Sequence, residues 1–229
     1  MSKLTDSTSL PSNRADRSPV LTSVSLDFPI GEDPRPNGPD QDWCGYCVEF
    51  LSNLPALTYL NIRMRVPNAY GANPIFIEET FDRLITQIRH EGLETLIILV
   101  LDGDVIFCHY WAVDLPNSDF AHFPKLRRIV TPDDFLFSKD PEFRCYNLPA
   151  SVEKIEIVDP SSYAQSYAHH LAENKAMYPR LTQLVLWYRN DVWSGNVVEH
   201  EKLLDDMQQK LLHVGVKLHV KLANEWSDN

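Results

Sequence analysis

The sequence is poor in what nucleic acid, a bilayer or an oxidising compartment would require. Its 21 Lys and Arg stand against 32 Asp and Glu, a formal charge of −11, whereas phosphate contact depends on clustered Lys and Arg. Arg63 with Arg65, and Arg127 with Arg128, are small basic spots on an acidic chain. Nucleic acid is therefore not an expected partner. No apolar run approaches the roughly 18 residues that span a bilayer, and the opening MSKLTDSTSLPSNRADRS lacks a hydrophobic signal segment. Only four cysteines are present and no Asn-x-Ser/Thr acceptor. Both fit an intracellular chain with reduced thiols, cytoplasmic by expectation with the nucleus also open.

What is present is an apolar fraction of 44%, enough for a sizeable core in 229 residues, and a repeated phrase. Pro179 to Leu186 reads Pro-x-Leu-x-x-Leu-x-Leu. The same wording opens at Pro19, Pro55 and Pro124, loosens behind Pro149, and appears at Leu93 with Gly92 in place of proline. Val216, Leu218, Val220 and Leu222 make a closing strand. Leading residues fall at 21, 57, 93, 126, 152 and 181, with gaps of 36, 36, 33, 26 and 29, near the periods of stacked repeats.

Along the chain, residues 1–18 read as a disordered lead-in, 19–223 as one repeat domain and 224–229 as a polar tail. Leu21 to Phe28 alternates as a half-buried strand, and the Pro-, Gly- and Asp-rich stretch to Gln41 predicts a loop. Trp43, Cys47, Leu51 and Leu54 recur at helical spacing. Asn73 and Pro74 predict a helix start, with Ile77, Phe81, Leu84, Ile85 and Ile88 on one face. The nearly continuous apolar run Leu93 to Leu101 predicts a strand covered on both faces in mid-sheet. Residues 104–123 and 133–150 carry no tidy period. Asp159 and Pro160 predict the cap of a helix bearing Tyr163, Tyr167 and Leu171, and a last helix over 198–214 stops at Gly215.

Strand, return and parallel strand is the inferred unit, repeated about six times. Such units either wind as an α/β sheet with helices on both faces or stack as an α/β solenoid with a parallel sheet. The repeated wording favours the solenoid.

At Leu54-Pro55-Ala56-Leu57-Thr58-Tyr59-Leu60-Asn61-Ile62, at Leu148-Pro149 through Ile157 and at Tyr178-Pro179-Arg180-Leu181-Thr182-Gln183-Leu184, the chain resembles the irregular leucine-rich-repeat regions of fungal F-box-type proteins. The resemblance covers roughly 19–222. It implies a leucine-rich-repeat-like solenoid whose repeats recognise the substrate of a ubiquitin ligase. Nothing before Leu21 resembles the F-box helical bundle, so the chain reads as a fragment or as a stand-alone binding module.

In such a solenoid the residues between framework leucines share one face. Tyr59, Asn61, Arg63, Ile97, Leu99, Arg128, Val130, Lys154, Glu156, Gln183, Val185 and Trp187 occupy those positions. An apolar centre flanked by arginines is the composition of a protein-binding patch. The candidate partner-binding residues are Tyr59, Arg63, Leu99, Arg128, Val185 and Trp187. Trp187 and Arg63 are expected at the surface, while Ile97 and Leu99 are better read as core covered by loops or a terminal segment. The expected protein is monomeric and non-enzymatic, without cofactor or metal, binding a protein partner and neither membrane nor nucleic acid.

Three other constellations carry alternatives. Leu96 to Val105, ending in Asp102-Gly103-Asp104, resembles the first motif of haloacid-dehalogenase-type phosphatases. The resemblance implies Asp102 as nucleophile, Asp104 as general acid and Mg²⁺ on the phosphate, with Thr131 and Lys154 or Lys139 as phosphate ligands. Read as structure alone, Asp-Gly-Asp is a turn after a strand. Trp43-Cys44-Gly45-Tyr46-Cys47 resembles a thioredoxin-type redox motif, against which Cys47 is a small core residue on a helical stripe. Among the cysteines only Cys44 and Cys47 have zinc-ligand spacing.

Overall fold

The computed structural model describes residues 20–29, 43–65, 84–102, 105–106, 120–138, 144–145, 148–188 and 197–222. The expected lead-in, the loop before Gln41, the helix start at Asn73, Asp104, Lys139 and the polar tail lie outside them.

The repeated phrase is a turn that opens into a strand. The N–H of Leu57 donates to Leu54 O at 3.0 Å, Leu93 to His90 O at 3.1 Å, and Leu126 to Phe123 O at 3.0 Å. Val152 donates to Pro149 O and Leu181 to Tyr178 O, both at 3.1 Å. Pro55, Pro124 and Pro179 hold the second turn position, where a fixed φ near −65° suits the turn and no N–H is forfeited. The residue closing each of these turns is fully buried, at 0% exposure for Leu57, Leu93, Leu126, Val152 and Leu181. The next residue then starts a ladder across neighbours: Thr58 donates to Thr22 O, Glu94 to Thr58 O, Arg127 to Glu94 O, Glu153 to Arg127 O and Thr182 to Glu153 O, at 2.8 to 2.9 Å.

The sheet has seven parallel strands, the five from β2 to β9 in chain order growing from these turns: β1 (Ser23–Pro29), β2 (Tyr59–Arg65), β3 (Thr95–Asp102), β5 (Arg128–Pro132), β8 (Lys154–Val158), β9 (Gln183–Tyr188) and β10 (Lys217–Leu222). They lie in the sheet in the order β1-β2-β3-β5-β8-β9-β10, which is their order in the chain. A short β4 (Val105–Ile106) pairs antiparallel with β3, and β6 (Phe137–Ser138) with β7 (Arg144–Cys145) forms a separate two-stranded ribbon. The protein is thus an α/β fold with an open, all-parallel seven-stranded sheet.

One face of that sheet carries the helices. α1 (Trp43–Ser52), a helical turn α2 over residues 84–87, α3 (Ala164–Glu173) and α4 (Val197–His213) bring Leu51, Leu84, Ile85, Tyr167, Leu171, Met207 and Leu211 into one cluster. The opposing strand residues are Leu60, Ile62, Met64, Leu96, Ile98, Ile129, Ile155, Ile157, Leu184 and Leu186. No described helix residue belongs to the second cluster, on the other face of the sheet, which is built from strand residues.

α4 ends as its sequence predicts. Gly215 has φ +78, the left-handed conformation that a side chain disfavours, and the Val216 N–H reaches back to Leu211 O at 2.9 Å, closing a Schellman-type stop over buried Leu211 and Val216. The start of α3 differs from expectation. Asp159 does not cap it; it leaves β8 with φ 52, and the helix begins at Ala164 with no side-chain cap. The Ser161 N–H is taken by the buried Asp133 carboxylate at 2.6 Å. The Ser161 hydroxyl in turn accepts the Tyr163 N–H at 3.2 Å, just ahead of the helix. The buried stripe is Ala164, Tyr167, Ala168 and Leu171, while Tyr163 is outside it and 40% exposed.

Candidate functional site

Strand register stacks the face opposite the helices into lateral rows. The first row is Tyr59, Thr95, Arg128, Lys154, Gln183 and Lys217, and its members are half-buried or exposed. The next row is Asn61, Ile97, Val130, Glu156 and Val185, each at most 2% exposed, with His219 exposed at its end. Beyond it lie Arg63, Leu99, Val158, Trp187 and Lys221.

Glu156 is the polar centre of this face. Its carboxylate is 1% exposed and takes Arg128 Nε and Lys154 Nζ on Oε1, both at 2.7 Å. Trp187 Nε1–H donates to Oε2 at 2.8 Å. Burial pushes the carboxyl up, yet the Lys154 ammonium, the Trp187 indole and the Arg128 guanidinium together hold it below its ordinary range. A buried carboxylate of this kind persists only because each oxygen is satisfied. Lys221 stands over the Trp187 ring, 4.7 Å from its centroid.

The six candidate partner-binding residues share this face but not its surface. Tyr59, Arg63 and Arg128 are half-buried. Leu99 is 1% exposed, Val185 2% and Trp187 5%. Surface placement of Trp187 is corrected: its indole is a buried hydrogen-bond donor, and it packs with Ile97, Leu99, Val130, Val158 and Val185 in a second apolar cluster. Ile97 and Leu99 are core.

The face is basic. Among the described strands it carries Arg63, Arg65, Arg128, Lys154, Lys217 and Lys221, six cations against two carboxylates, Asp27 and Glu156. Asp27 is itself held by Arg65 Nε at 2.8 Å to both oxygens. The sequence shows Arg63 with Arg65 as a basic spot but not the whole face, because Arg128, Lys154, Lys217 and Lys221 come from separate strands that only register brings to one side. The signal was there in Lys217-Leu218-His219-Val220-Lys221, where polar and apolar residues alternate.

The remaining constellations separate. Asp102 pairs with Val105 across the antiparallel β3–β4 ladder. Thr131 is fully buried on the helical side and its Oγ1 makes no hydrogen bond. Lys154 is committed to Glu156. Cys47 is half-buried on α1 against the core, and burial pushes its thiol up, the opposite of a reactive thiolate. No cluster of three or more His, Cys, Asp or Glu is placed to hold a metal among the described residues, and no helix there is long and apolar enough to cross a membrane. Surface depressions among the described residues also lie off the face. One of about 430 Å³ sits between α3 and α4 beside His169 and Lys210. One of about 350 Å³ lies at the strand entrances, where Arg127 is bound to Glu153 at 3.0 Å through both nitrogen–oxygen pairs.

No protein-family model, no curated protein and no solved structure matches the chain.

Proposed function

We propose that the chain is a non-enzymatic protein-interaction module built as a leucine-rich-repeat-like solenoid, and that the half-buried and exposed basic residues bordering the buried centre of the sheet face opposite the helices receive an acidic protein partner. The solenoid reading is supported by strands that add in chain order, five of the seven behind the same turn, with the described helices on one side. A single observation carries the function. A chain of net charge −11 places six Lys and Arg against two carboxylates on one face of its described strands, an excess of four positive charges even after Arg65 pairs Asp27 and Arg128 with Lys154 pair Glu156. Such a local reversal of sign speeds and selects association with an oppositely charged protein.

The test is capture from lysate of the source cells, followed by calorimetry with the purified partner at low and high ionic strength. Arg63→Glu with Lys217→Glu is expected to weaken binding about tenfold or more. Lys202→Glu with Lys210→Glu makes the same change of charge on α4, where both side chains are exposed, and is expected to do little. Equal effects from the two pairs would sink the reading. So would Mg²⁺-dependent turnover of a phosphate ester that Asp102→Asn abolishes. Co-capture of a ubiquitin-ligase adaptor with the partner would assign the module to substrate recognition.

A further inference from the structure

We propose that β10 takes hold of the partner as an added strand, and that the captured segment alternates acidic with β-branched apolar residues. The inference rests on the reading of the basic face and specifies how the partner is held there.

β10 ends the sheet and pairs only with β9 among the described strands. The Lys217 N–H donates inward to Thr182 O at 2.9 Å. In a parallel strand successive residues turn their backbone groups to alternate sides. The amides of Leu218, Val220 and Leu222 therefore face away from β9, where no described strand fills the ladder. Side chains alternate the other way: Lys217, His219 and Lys221 stand exposed on the basic face. Val220, 39% exposed, lies on the side of Leu218 and Leu222.

Lysines on an edge discourage a second copy of the same edge, because like charges would fall opposite one another. An acidic strand reverses that sign. Lys217 and Lys221 are four residues apart, about 13 Å along a strand, so they meet carboxylates at positions i and i+4, with position i+2 beside His219. The intervening residues of the captured strand lie beside Leu218 and Val220 and suit apolar, β-branched side chains. The other edge lacks this chemistry. β1 presents Ser23, Ser25 and Asp27 on the same face, and Asp27 is occupied by Arg65.

The probe is a fluorescein-labelled ten-residue peptide of alternating Glu and Val, followed by anisotropy against the full chain. Controls are a Lys-Val peptide, a polyglutamate of equal length, and the Glu-Val peptide N-methylated at alternate amides. The Glu-Val peptide is expected to bind about tenfold or more tighter than any of the three. Lys217→Glu with Lys221→Glu is expected to lose that preference. Val220→Pro removes an outward N–H and no bond to β9, a position where an edge strand tolerates proline. It is expected to weaken the peptide to the level of polyglutamate, with circular dichroism reporting the fold. Should Val220→Pro disturb the fold, the N-methylated peptide asks the same question without altering the protein. Equal binding of the methylated and unmethylated peptides would overturn strand addition while leaving a charged docking face intact. Failure of the Glu-Val peptide to bind wild type would overturn capture at β10. The face reading would still be decided by the Arg63 and Lys217 pair against its natural partner.

Discussion

Glu156→Ala is the most informative single change, because the cost can be worked from the geometry. Three donors converge on a side chain that is 1% exposed. Removing it leaves the Trp187 indole N–H, buried with the rest of the residue, without an acceptor, which costs about 1–3 kcal/mol. The two cations lose less. Arg128 and Lys154 side chains are 23% and 32% exposed, so water replaces the carboxylate, and each loss is about 0–1 kcal/mol. Relief of the carboxylate's own desolvation offsets part of the total. The expected cost is about 2–3 kcal/mol in urea unfolding, and roughly half for Glu156→Gln, whose amide oxygen keeps the indole satisfied. In a Trp187→Phe background the Glu156→Ala cost is expected to shrink by about 1–2 kcal/mol, since the orphaned donor is gone. Acid supplies an independent check. The folded carboxyl sits below its ordinary 4.5, burial opposing and Lys154, Trp187 and Arg128 prevailing. The stability it contributes is therefore complete above 4.5 and is lost as pH falls through the lower folded value. Wild type is expected to lose stability more steeply than Glu156→Gln below pH 4.5. A Glu156→Ala cost under about 0.5 kcal/mol, or no coupling to Trp187, would refute the account of a satisfied buried hub.

Other changes probe separate parts. Gly215→Ala is expected to cost about 1 kcal/mol in thermal or urea unfolding, purely from φ +78, because an added Cβ meets nothing within 4 Å. Cys47 is expected to react more slowly with a disulfide reagent at pH 8 than an unperturbed peptide thiol. Burial pushes its thiol up, and a faster reaction would revive the redox reading. Asn61, 1% exposed, leaves its Oδ1 without a hydrogen bond beside Ile97. Asn61→Leu is expected to stabilise by about 1 kcal/mol; destabilisation would show that the amide has a role the fold alone does not reveal.

The parts of the fold legible in the sequence are those governed by neighbours in the chain. Proline followed two residues on by a leucine encodes a turn, because proline sets its own φ and the leucine must be buried. Period two then places Tyr59, Asn61, Arg63, Arg128, Glu156 and Trp187 on a common face. Period 3.6 places Leu51, Leu84, Ile85 and Leu211 against the other, and Gly215 marks the helix stop. What the pattern cannot supply is whether anything lies over a face. Trp187 and Leu99 have the same alternation whether open or covered, so a buried indole donor read as a surface anchor. Nor can local pattern reveal a partner 28 residues away. The Asp133 carboxylate holds the Ser161 N–H in the segment between Asp159 and the helix, which begins only at Ala164. Glu156, flanked in sequence by Ile155 and Ile157, reads simply as one polar position in a strand until register brings Arg128 and Trp187 beside it.

Register also ties stability to recognition on this face. Glu156 neutralises one charge of the row it organises, yet it fixes Arg128 and Lys154 at 2.7 Å from one oxygen. Its two roles oppose each other toward an acidic partner. Glu156→Gln makes the face more positive by one charge, which strengthens long-range attraction, and frees two long side chains, which must then be ordered on binding. Long-range attraction is screened over about 10 Å at 0.1 M salt, whereas ordering entropy is not screened. Glu156→Gln is therefore expected to bind such a partner faster than wild type at low ionic strength and more weakly at high ionic strength. Affinities that run parallel at all salt concentrations would mean that the fixed positions of Arg128 and Lys154 do not matter to recognition. The hub would then serve the fold alone.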